Sequence, residues 1–73
     1  MWKPLIGENA GIIWRILSEK GEVPLSDMKK TTKLDDMNLF LALGWLAREG
    51  KVGFDQIHQH ISVILIEGEN LNS

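Results

Sequence analysis

The apolar residues of this chain recur with a helical period up to Gly50 and with a period of two beyond it. From Glu8 to Lys20, Ala10, Ile13, Ile16 and Leu17 return at helical spacing, which marks one face of a first helix. Glu8 stands at the favourable N-terminal end of that stretch, and Gly21 supplies a left-handed stop. Glu22 and Val23 make a short extended link. Pro24 then opens a second helix that buries Leu25 and Met28, turns Lys29 and Lys30 to water and ends near Thr32. Leu34 plugs the next turn. Asp35 is placed to accept a hydrogen bond from the free amides that start a third helix, which runs to about Glu49 before Gly50 ends it.

Beyond Gly50, Val52 and Phe54 alternate with Lys51, Gly53 and Asp55, and Ile61, Val63 and Leu65 alternate with Ser62, so two strands forming a hairpin are predicted. The turn falls within Ile57-His58-Gln59-His60. That run has none of the Asn-Gly chemistry of a tight two-residue loop, and a longer or bulged connection is expected. Ile64 and Ile66 add apolar side chains to the strand face opposite Val63 and Leu65, as expected if both faces are covered. The chain ends lack these periods. Residues 1–6, with Pro4 among them, read as an extended N-terminal arm offering Trp2, Leu5 and Ile6 for packing, residues 7–66 as one domain, and residues 67–73 as a frayed polar tail.

The order helix, short strand, helix, turn, helix, hairpin resembles the winged helix-turn-helix domains. The run LALGWLAREGKVGF, Leu41 to Phe54, is similar to a small prokaryotic family of such domains with no assigned function; its most specific part is Gly44 to Lys51. The resemblance covers most of the chain, from about Ile6 to Leu65. It implies an α+β fold, a three-helix winged helix-turn-helix with a C-terminal β-hairpin wing, and by analogy a DNA-binding transcription regulator. A fold does not assign a function by itself.

The phase of the third helix bears on that analogy, because in a winged helix one face locks onto the other helices while the opposite face enters the major groove. With 100° per residue, Leu39, Ala42, Leu43 and Leu46 form the inward stripe, and Met37, Leu41, Trp45 and Arg48 lie opposite. Base edges are read by groups such as Arg, Lys, Asn and Gln, and the leading turns offer Asp35, Asp36 and Asn38, of which only Asn38 suits the task. Lys29, Lys30, Lys33 and Lys51 are the candidates for holding phosphate. The apolar outer positions need cover instead. Met37, Leu41, Gly44 and Trp45 are therefore the candidate homodimer or partner interface, with Gly44 allowing close approach and Trp45 as aromatic anchor. The alternative is cover within one chain, by the N-terminal arm or the outer face of the last strand.

Composition narrows the field. A chain of 73 residues makes one domain that buries only about 60% of the surface its unfolded form exposes, so a partner helps it. Lys and Arg number 8 against 10 Asp and Glu, for a net charge of −2, and the long-range field does not draw polyanions in. From Leu25 to Lys51 five cations meet four carboxylates, a local balance of only +1. No cysteine is present, which removes disulfides, thiol catalysis and Cys-based zinc sites. No stretch has the length and apolarity to span a bilayer, and a soluble, cytoplasmic protein is expected.

Other chemistry has little footing. His58 and His60 would share a strand face but have no evident third ligand, so no metal is expected. Trp14 is expected in the core among Ile12, Ile13 and Ile16. There is no phosphate loop and no nucleophile with a matching base, and Asp35-Asp36 suits helix capping better than acid/base work. The sequence thus predicts a binding module with no enzymatic activity and no cofactor, self-associating or protein-binding through the outer face of the third helix. The alternative is DNA binding.

Overall fold

A computed structural model of the chain describes residues 2–66, with side chains described from Leu5 onward. The expected polar tail and the side chain of Trp2 lie outside the described residues. Three helices and three strands follow one another as α1 (Trp2–Lys20), β1 (Glu22–Pro24), α2 (Leu25–Thr32), α3 (Asp36–Arg48), β2 (Val52–Ile57) and β3 (His60–Leu65). This is the α+β winged helix-turn-helix arrangement.

The expected extended arm is instead helical, since α1 begins at Trp2 rather than near Glu8. Pro4 falls in the first turn, where a backbone N–H has no intrahelical acceptor, so the missing donor costs nothing there. Glu8 consequently lies inside the helix, and the first turn carries no acidic residue. Gly21 stops α1 with φ +81°, and its N–H donates to Leu17 O at 2.7 Å. Pro24 is the cap of α2 rather than its first residue, which shifts that boundary by one.

Asp35 caps α3 as its side-chain position implied: Oδ1 accepts from the Asn38 N–H at 3.0 Å. The turn between α2 and α3 is held by Thr32, whose hydroxyl donates to Met28 O at 2.8 Å and accepts from the Leu34 N–H at 3.3 Å. Gly50, at φ +75°, follows the end of α3 and starts the wing.

The sheet has the order β1-β3-β2 with antiparallel pairing throughout. The short strand expected after α1 thus joins the hairpin as a third strand, with Val23 opposite Val63 and Pro24 opposite Ser62. Pro24 is tolerated because β1 lies at an edge and can spare a donor. The wing turn departs from expectation as well. Ile57 pairs with His60, leaving a two-residue turn of His58 and Gln59. His58 takes φ +58° in place of a glycine, and the Gln56 side chain donates to His58 O at 3.2 Å.

Ile13 and Leu17 of α1, Met28 of α2, Leu39, Ala42, Leu43 and Leu46 of α3, and Val23, Val52 and Val63 of the sheet form one core. The four buried residues of α3 are those the helical phase placed inward. Trp14 is not among them. It is 43% exposed, because α1 buries Ala10, Ile13 and Leu17 and carries Trp14 on the flank of that stripe.

Candidate functional site

With its inner stripe fixed to α1 and the sheet, α3 must turn Met37, Leu41, Gly44 and Arg48 outward, with Phe40 on one flank and Trp45 on the other. Met37 and Phe40 are each 52% exposed and Leu41 is 39% exposed. Gly44 sits among them with open space above it, since a Cβ there would meet nothing within 4 Å.

The wing extends this apolar surface. Opposite residues of an antiparallel pair share a sheet face, so Phe54 lies on the same face as Val63 and Ile61 on the same face as Gln56. Val63, on the central strand, is covered by the helices, whereas Phe54, on the edge strand β2, stays half exposed. Phe54 and Ile61 therefore overhang Phe40, Gly44 and Leu25. Together they wall a groove of about 460 Å³ between α3 and the wing.

Trp45 behaves differently from the other three candidate interface residues. It is half-buried and packed on the core, at a crevice of about 210 Å³ lined also by Gly7, Gly11 and Trp14 of α1. The cover for Trp45 comes from the body of α1. Met37 and Leu41 have no comparable cover among the described residues.

Residues 1–65 match the family described as Winged helix-turn-helix domain (DUF2582). The chain belongs to this family. It is also 44% identical over 55 residues to the uncharacterized protein MJ1608 of Methanocaldococcus jannaschii, a match covering 71% of this chain and 76% of that protein.

Within the family's fold the residues suited to DNA sit in different surroundings. Lys29 is held at 2.6 Å by Asp36, in an exposed ion pair at the head of α3. Lys30 borders a separate cleft with Ile16, Lys20, Glu22 and Asp27. Lys33 follows α2 in the left-handed region at φ +61°, its N–H donating to Lys29 O. Lys51 lies at the α1–α3 crevice beside Trp45 and Glu49. Asn38, the one candidate base reader, is half-buried with its Oδ1 enclosed and without a hydrogen-bond partner.

Phe40 and Phe54 are the site residues that sequence reasoning missed. Phe40 lies 100° from Leu39 on the helix, which makes it a flanking rather than a rear position, and only the wing makes that flank a wall. His58 lies in the turn and His60 begins β3, so the alternation that would bring the two imidazoles to one face is broken. Among the described residues no three of His, Cys, Asp and Glu form a group able to hold a metal, and no helix is long and apolar enough to cross a membrane.

Proposed function

We propose that this chain is a non-enzymatic, cytoplasmic association module that engages protein through the outer face of α3 and the groove between α3 and the wing. One observation carries the reading: the helix that would enter the major groove offers Met37, Phe40 and Leu41, each between 39% and 52% exposed, where a reading helix carries amides and cations. Hydrocarbon cannot discriminate most base edges, and burying it against another protein removes it from water.

The family's fold favours a second reading, DNA-binding regulation, with Lys29, Lys30, Lys33 and Lys51 on phosphate and Asn38 at the bases. Anisotropy of a labelled mixed-sequence duplex, titrated with the chain over a range of salt, separates the two. Association through α3 leads to duplex binding weaker than about 10⁻⁴ M at physiological salt, outside even the usual non-specific range. Binding tighter than about 10⁻⁶ M, with a steep salt slope that flattens on replacing Lys29, Lys30 and Lys33 by alanine, would overturn the protein-association reading.

A further inference from the structure

Resting on that association reading, we infer that the occupant of the α3 face is a second copy of this chain, lying antiparallel across a twofold axis that passes between Leu41 and Gly44. The outward positions Met37, Leu41, Gly44 and Arg48 are separated by four, three and four residues, the spacing of a helix–helix seam. A twofold axis at the seam's midpoint sets Leu41 against Gly44 of the second copy, and Gly44 against its Leu41. The contact is therefore a side chain meeting a notch, made twice. The notch is real, because the position above Gly44 is empty to 4 Å, and the side chain is free, because Leu41 is 39% exposed. An isologous interface requires this kind of self-complementarity, and one helix supplies both halves.

The charges fit the same arrangement. Arg48 stands at the C-terminal end of α3 with no ion-pair partner among the described residues; at the other end stand Asp35, the helix cap, and Asp36, which is paired with Lys29 but whose side chain is 62% exposed and has a second carboxylate oxygen to offer. Antiparallel seating sends Arg48 over Met37 of the second copy, toward the end bearing those carboxylates. The opposed helix dipoles favour it as well. Parallel seating would set the like ends together.

The area suits a reversible dimer. A large apolar side chain contributes roughly 200 Å², so half exposure leaves about 100 Å² on each of Met37, Phe40 and Phe54, and the lesser exposure of Leu41 about 80 Å². These four expose about 400 Å² per copy. At the roughly 65% apolar content of homodimer interfaces this corresponds to about 1,200 Å² of total buried surface, the lower bound for a specific interface. A dissociation constant on the order of micromolar is expected.

Sedimentation equilibrium of the full chain across a wide concentration range tests the inference, with circular dichroism confirming that each variant folds. The parent is expected to pass from monomer to dimer, and Leu41→Glu and Gly44→Leu are each expected to weaken the dimer at least tenfold. Arg48→Glu is expected to weaken it, and Asp36→Arg added to Arg48→Glu to restore it, which a merely nonspecific apolar contact would not do. A parent that stays monomeric at every concentration, or a dimer indifferent to Leu41→Glu and Gly44→Leu, overturns the second-copy assignment. Either result leaves the broader association reading in place, because that reading fails on tight duplex binding instead.

Discussion

Leu39→Ala is expected to remove about 3–4 kcal/mol of folding stability, while Leu41→Ala, two residues along the same helix, changes it by less than about 1 kcal/mol. Leu39 is 1% exposed and enclosed by the core, so truncation leaves a cavity that its neighbours fill only partly. Leu41 is 39% exposed and gives up fewer contacts. For a domain whose whole stability is of the order of 5–10 kcal/mol, the first variant loses a third or more of it and the second only a small part. Urea denaturation at high dilution, where association adds nothing, measures both. Equal losses at the two positions would mean that α3 is not phased as described.

Trp45→Ala is expected to cost about 2 kcal/mol under the same dilute conditions, the largest loss among the outward-leaning residues of α3. Its indole packs on the core and borders the crevice with Gly7, Gly11 and Trp14, so its removal loosens the seam between α1 and α3. The value is below that for a fully buried aromatic because the side chain is only half-buried. A residue serving the interface alone would change the assembly without changing dilute-state stability. Trp45→Ala with unaltered denaturation and a lost dimer would therefore assign Trp45 to the interface rather than to the fold.

The difference between Leu41 and Trp45 marks how far the sequence could be read. Helical phase separated Leu39, Ala42, Leu43 and Leu46 from Met37 and Leu41 correctly, because 100° per residue is a property of the backbone alone. It put Trp45 with Leu41, because phase carries no knowledge of how far α1 reaches. The path of α1 was itself misjudged at Pro4, a residue compatible with both an extended arm and a first helical turn. The place of β1 in the sheet escaped notice for a related reason: a short strand was legible at Glu22 and Val23, but its pairing with β3 joins segments some forty residues apart. The wing turn went unrecognised because His58 accepts the left-handed conformation that glycine or asparagine usually supplies.

The candidate site divided along the same line. The outward placement of Met37, Leu41 and Gly44 was legible from one helix, and all three are exposed. The groove needs Phe40 from that helix and Phe54 and Ile61 from the wing, and the register that brings them together is a tertiary fact. Asn38 illustrates the opposite limit. Its residue type fits base recognition, yet its enclosed Oδ1 is not offered to any groove.

Hydroxyl-radical footprinting of Met37, Phe40, Leu41 and Phe54, followed as the chain is concentrated and again after duplex is added to the dilute chain, tests the covering of the α3 face most directly. The expected result is protection of all four that grows with protein concentration and is untouched by duplex. Oxidation that is the same at every concentration, with protection arising only when duplex is present, would contradict it.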